Sequence, residues 1–138
     1  MVDWIEIPEI MVPTGCWHGY LRRMDLRGLC MGFAGAEETY PFSPDATVFK
    51  VGGKIFAIAQ LTGEPPRISL KCEPDLAVAL RADHPAITPG YHLNKRHWNT
   101  VVVDGSVPEP LLRDMVEDSY DLVVSALASS VRDDLGWP

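Results

Sequence analysis

The densest chemistry in this chain lies between Tyr91 and Asn99, which reads Tyr-His-Leu-Asn-Lys-Arg-His-Trp-Asn. Imidazoles, fixed cations, amides and aromatic rings stand side by side there, unlike any run of core residues. Lys95 and Arg96 suit a phosphate, with Arg96 able to grip it bidentately. Trp98 or Tyr91 could stack on a base, and Asn94 or Asn99 could read a base edge. With Lys71 joining from across a sheet, the candidate ligand set is Lys71, His92, Asn94, Lys95, Arg96, His97, Trp98 and Asn99. The same residue types also have structural uses. His and Asn tie down long loops through bonds to the backbone, and a Trp at a strand start can fill the core with its indole N–H satisfied. A third use is His92 or His97 as a general base, which needs a pocket around the ring. The sequence leaves all three open.

Other reactive groups are less suggestive. His92 and His97 stand five apart, with His84, Cys72 and acids elsewhere, and this matches no standard zinc spacing. Lys95 and Arg96 would repel a cation there. His18 follows Cys16 and Trp17, but no third group is evident to orient a Cys–His pair. Glu37 and Glu38 are adjacent in an extended segment, so they point to opposite sides and do not share a proton. One is expected in solvent and the other paired with a base such as Lys54 or Lys71. No catalytic residue, metal or cofactor is expected.

The chain carries a net charge of −7, distributed unevenly. Residues 1–45 hold seven acids and three bases, residues 46–103 hold four acids and seven bases, and residues 104–138 hold eight acids and two bases. Only the middle third, at +3, offers a cationic surface. A nonspecific duplex binder is usually basic overall, because phosphate neutralisation supplies its affinity. The acidic face Asp114, Glu117, Asp118, Asp121 on the last helix should be solvated and turn nucleic acid away.

The elements that must position these groups follow from pattern. At 138 residues one domain is expected, able to bury about two-thirds of its unfolded surface. Residues 1–18 read as an arm, since Pro8 and Pro13 prevent a long helix, and residues 19–138 as a single domain. The spacing of Tyr20, Met24, Leu26 or Arg27, Cys30 and Met31 predicts a helix over 19–31. Glu37 to Pro44 reads as loop or extended. Strands are predicted over 47–51 and 54–61 around a Gly52-Gly53 hairpin turn, and over 67–72, with Lys71 on the face opposite Leu70. In the second strand Phe56 and Ile58 should oppose Ile55, Ala57, Ala59 and Leu61. Pro74 starts a helix to Ala82 with Leu76, Ala77 and Leu80 inward. Residues 85–89 read as loop and 98–103 as strand. One long helix follows, with Ser106 as cap, a stripe from Leu112 to Val131, and Gly136 as terminator. The fold class is α+β: two layers, an antiparallel sheet with helices packed on one face, order α-β-β-β-α-β(β)-α.

The three cysteines include no C-x-x-C pair, so reduced thiols are expected rather than a disulfide framework. No apolar run nears the roughly 20 residues of a membrane span, and the N-terminus lacks the cationic start of a signal peptide. Cytoplasmic residence is the default expectation.

Several segments together resemble the MmcQ/YjbR-like family: Glu37-Glu38-Thr39-Tyr40-Pro41-Phe42, Phe49 to Ala57, Ser69-Leu70-Lys71-Cys72, Pro89 to Asn99, and Ser119-Tyr120. They cover about residues 20–128 in the family's order. The resemblance implies a CyaY-like or secretion-chaperone-like two-layer fold and a DNA-binding label drawn from fold comparison. It brings no reaction and no catalytic residues. The expected function is a small cytoplasmic binding protein whose partner is nucleic acid or a phosphorylated small ligand. The alternatives are a protein–protein adaptor using residues 1–18, and an enzyme with His92 or His97 as base.

Overall fold

The computed structural model describes residues 26–43, 45–90 and 93–136. The expected arm over 1–18, with Cys16, His18, Tyr20, Met24, Tyr91 and His92, lies outside the described residues. A helical segment over 26–31 (α1) leads into six strands and three further helices. In chain order these are β1 (Glu37–Ser43), β2 (Ala46–Val51), β3 (Lys54–Gln60), β4 (Arg67–Lys71), α2 (Pro74–Asp83), β5 (Ile87–Pro89), β6 (Trp98–Val102), α3 (Glu109–Ser125) and α4 (Ser129–Leu135). The strands form one antiparallel sheet in the order β1-β2-β3-β4-β6-β5. This is the expected α+β class, with two additional edge strands.

One addition falls where the sequence read as loop or extended, the other where it read as loop. Glu37–Ser43 is edge strand β1, and the register slips between Thr39 and Ser43, around Pro41. Ile87 to Pro89 is the opposite edge, β5. An edge strand leaves one row of N–H groups outside the ladder, so proline is tolerated there. The β2–β3 hairpin is as expected, with Gly52 and Gly53 at φ 58° and 80°. A Cβ at Gly52 would meet Leu127 Cδ1 at 2.7 Å, so a side chain there would have to displace that leucine as well as adopt a positive φ.

Strand register divides the sheet into two faces. Phe49, Ala57, Leu70 and Asn99 are successive cross-strand partners facing the helices. Val48, Ile58, Ser69 and Thr100 form the adjacent row facing away. A bulge changes the expected alternation in β3. Two steps there, from Ala57 to Ile55, match one step in β2, from Phe49 to Lys50. The extra residue is Phe56, which consequently turns to the helix side with Ala57. Its ring meets Phe33, Phe49 and Tyr120 in the core. Phe56 is therefore not on the face with Ile58, as simple alternation had predicted.

The core lies between this face and the helices. α3 rests on β2, β3 and β4, and α2 on β5 and β6. From α3, Leu112, Met115, Val116, Ser119, Tyr120, Val123 and Val124 are buried. Each large apolar side chain so buried contributes about 1.5–3 kcal/mol. Of the α1 stripe, Leu26 and Cys30 enter the core, Arg27 is exposed, and Met31 is 39% exposed.

Three helix details correct the sequence reading. Ser106 does not cap α3; its N–H and hydroxyl both donate to Asp104, and Pro108 holds the cap position. The single long helix is two, because the chain breaks at Ala126 to Ala128 and Ala128 is extended. The break brings Leu127 and Val131 against the β2–β3 turn. Gly136 does terminate α4, in the left-handed conformation. Leu76, expected inside, is 41% exposed. No helix among the described residues is long and apolar enough to cross a membrane.

Candidate functional site

The turn before β6 is built from its own backbone. Asn94 Oδ1 accepts the Arg96 N–H at 2.9 Å, and the Asn94 carbonyl accepts the N–H groups of His97 and Trp98. Asn94 thus starts and closes a single helical turn with its side chain and carbonyl. Lys95 Nζ donates to the Gly90 carbonyl at 3.3 Å. The Gly90 N–H bonds the Trp98 carbonyl at 2.8 Å, and a Cβ on Gly90 would meet Trp98 Cβ at 2.7 Å. The close approach admits glycine alone at that position.

From this turn the chain enters β6 with Trp98 directly opposite Lys71. Leu70 faces the helices, so Lys71 and Trp98 face away from them. The expectation that Lys71 lies beside the segment is met. Both side chains are half-buried, and Arg96, two residues earlier, is exposed. The Cys72 N–H, donating to the His97 carbonyl at 2.7 Å, fastens the turn to the end of β4.

The candidate set does not converge on one point. Asn99 turns inward beneath α2, fully buried, its amide reaching the Ala77 carbonyl at 3.4 Å. Its Oδ1 has no hydrogen-bond partner. Asn94 and Lys95 are engaged by the turn itself, and His97 is half-buried within it. Lys71 and Trp98 stand as cross-strand neighbours with Arg96 exposed two residues earlier in the turn, and His92 lies outside the described residues.

Strand alternation adds two cations that sequence reading passed over. Arg67 and Lys50 stand on the same face as Lys71, since Arg67, Ser69 and Lys71 alternate with buried Ile68 and Leu70. Among the described residues the ion pairs are Arg27–Glu38 and Arg113–Glu109, and neither involves Lys50, Arg67, Lys71 or Arg96. The face is not bare: Val48 at its centre is fully buried, and Ser69 and Thr100 share a hydroxyl hydrogen bond of 2.8 Å.

Behind Lys71 the sheet is completed by a helix. Beyond Ala57–Leu70 the β3–β4 ladder opens at the Phe56 bulge. Ser119 of α3 fills the gap: its hydroxyl accepts the Lys71 N–H at 2.9 Å and donates to the Phe56 carbonyl at 2.6 Å. Tyr120 stacks on Phe33 and donates its hydroxyl to the Ala34 carbonyl. Sequence reading had placed Ser119 in the stripe, but a bridge between strands leaves no trace in helical periodicity.

Among the described residues the resolved pKa shifts have local causes. Glu38 is held below the usual carboxylate range by hydrogen bonds from Arg27 and then from the Tyr40 hydroxyl. Its expected partners, Lys54 or Lys71, are replaced by Arg27 because α1 packs beside β1. Burial pushes the Cys30 thiol up to about 12. Cys72 is also raised, by burial and then by Asp118 and Glu73. Asp118 is raised by partial burial and by its neighbours Asp114, Asp121 and Glu73. No three His, Cys, Asp or Glu side chains among the described residues stand close enough to hold a metal ion.

Fold and surface together describe a small two-layer α+β domain with a cationic strand-end patch. The chain belongs to the YjbR family, whose sequence pattern matches residues 31–122. Among its relatives, the uncharacterised Escherichia coli K12 protein YjbR is 38% identical over 108 residues, covering 78% of this chain and 92% of its own. YbdF of Escherichia coli O157:H7, also uncharacterised, is 44% identical over 92 residues, covering 67% of this chain and 75% of its own. The crystal structure of a Deinococcus radiodurans protein with a DUF419 domain superposes with a TM-score of 0.79 at 42% identity, covering 83% of this chain and 88% of that one.

Proposed function

We propose that this protein binds a phosphate-bearing partner, nucleic acid first among them, in the cytoplasm and without catalysing a reaction on it. The patch consists of Lys71, Arg96 and Trp98, with Arg67 and Lys50 along the same sheet face. The observation that carries the reading is the Lys71–Trp98 cross-strand pair, which puts a cation beside an aromatic ring on the side away from the helices. A base stacked on such a ring contributes about 1–3 kcal/mol, while the ammonium meets the phosphate. Sheet faces with cations and aromatics suit unpaired strands, whose bases are available for stacking. The net charge of −7 does not oppose this, because the acids Asp114, Glu117, Asp118 and Asp121 belong to α3 in the other layer.

The test is fluorescence anisotropy with labelled single-stranded DNA, single-stranded RNA and duplex DNA across a salt series. Three phosphate contacts on a single strand should lower log K by about 2 per tenfold rise in salt. Lys71→Ala and Arg96→Ala should each flatten that slope by about 0.7. Trp98→Leu should weaken binding while leaving the slope intact. No salt-sensitive binding at low ionic strength, or full affinity in the Lys71→Ala, Arg96→Ala double variant, removes the reading.

A further inference from the structure

We propose that the groove between α2 and α3 docks a basic amphipathic segment of a partner protein. The groove is independent of the Lys71–Trp98 patch, being formed in the helix layer. Cys72 and Glu73 close it where β4 gives way to α2. Leu76 of α2 forms one wall, and Asp118, Asp121 and Leu122 of α3 the other. Its volume is about 410 Å³, within the range of ligand-binding clefts.

The groove exists because two helices that share a sheet do not close on each other. α2 rests on β5 and β6 and α3 on β2, β3 and β4. Leu76 would complete an apolar contact between them, but α3 presents Asp118 and Asp121 there, and Leu76 stays 41% exposed. Apolar side chains thus line a cleft whose rim is acidic on both sides, with Glu73 on one and Asp118 and Asp121 on the other. Asp118 is partly buried, and Asp114, Asp121 and Glu73 further disfavour its charge, which a bound cation would relieve. Among the described residues that line the cleft there is no Lys or Arg.

Charge complementarity selects the occupant. Phosphate-bearing ligands are repelled. A bare polyamine would satisfy the rim and leave the leucines in water. A segment alternating Lys or Arg with Leu-like residues meets both requirements, since its cations reach the rim and its apolar side chains cover Leu76 and Leu122.

The experiment uses the full chain and a labelled synthetic peptide of lysine and leucine in an amphipathic helical pattern, with a glutamate-for-lysine peptide as comparison. The lysine peptide should bind and the glutamate peptide should not. Asp118→Asn with Asp121→Asn should weaken binding about tenfold, as two partly screened ion pairs would. Leu76→Asn should also weaken it. Asp133→Asn with Asp134→Asn, an equal charge change on α4, should leave affinity within about twofold, since charges outside the cleft are largely screened. Equal losses in the two Asp-to-Asn pairs would mean general attraction to an acidic protein and overturn the proposal. So would full affinity in Leu76→Asn, or binding of spermine with the same dependence on Asp118 and Asp121 and no binding of the peptide.

Discussion

Ser119 shows how a single hydroxyl can stand in for a missing ladder bond. The Phe56 bulge leaves the Lys71 N–H and the Phe56 carbonyl without each other, and Ser119 serves both from the neighbouring helix. Ser119→Ala would bury two unpaired backbone groups, a loss of about 1–3 kcal/mol. Urea denaturation should show that loss with an unchanged m-value; stability equal to the parent would show that the strands re-pair without the hydroxyl. Asp118 makes the opposite case. Its folded-state pKa is raised, so the folded chain holds that proton more tightly than the unfolded one. It therefore disfavours folding more as pH rises through that raised value. Asp118→Asn should raise the melting temperature slightly at neutral pH and make little difference in acid.

At the scale of elements, two fastenings hold the edges of the domain. Arg27 of α1 meets Glu38 of β1 with two nitrogens, and Tyr40 donates to the same carboxylate. Glu38 is shifted down, so its contribution is complete above the carboxylate pKa of an unfolded chain. It is lost as pH falls through the lowered value. Arg27→Gln should reduce that acid-side slope, leaving the part due to Tyr40, read as melting temperature against pH. The second fastening is the turn before β6. Gly90→Ala would force a Cβ against Trp98 Cβ and the Trp98 carbonyl. It should destabilise the domain by about 1–3 kcal/mol, as overpacking does, and weaken any binding that needs Trp98 opposite Lys71. Much of this level was legible in advance. The Gly52-Gly53 hairpin, the 67–71 strand and the start of α2 at Pro74 follow from local turn chemistry and short periods. The α3–α4 break was not, because the apolar stripe continues through Leu127 and Val131 although the axis does not. What bends the chain there is packing against a hairpin far away in sequence.

At the scale of the whole molecule, layering sorts charge that sequence order only hints at. The basic middle third became the sheet face with Lys50, Arg67 and Lys71, and the acidic last third became the outer face of the helix layer. An acidic protein can thus present a cationic surface on one side, and salt should weaken nucleic-acid binding there while weakening peptide binding in the α2–α3 groove on the other. The family, the antiparallel α+β class and the buried stripe of α3 were legible in the amino-acid order alone. Those depend on residue types a few positions apart. A simple alternation put Lys71 on the face opposite Leu70, and the β4–β6 register then set it against Trp98. Packing in three dimensions is what buries Asn99 under α2 while Trp98 faces away, sets Leu76 in a cleft and gives Glu38 to Arg27. These outcomes turn on register, and in a strand one inserted residue reverses which side a neighbour faces. The bulge at Phe56 is such an insertion, and nothing within β3 announces it.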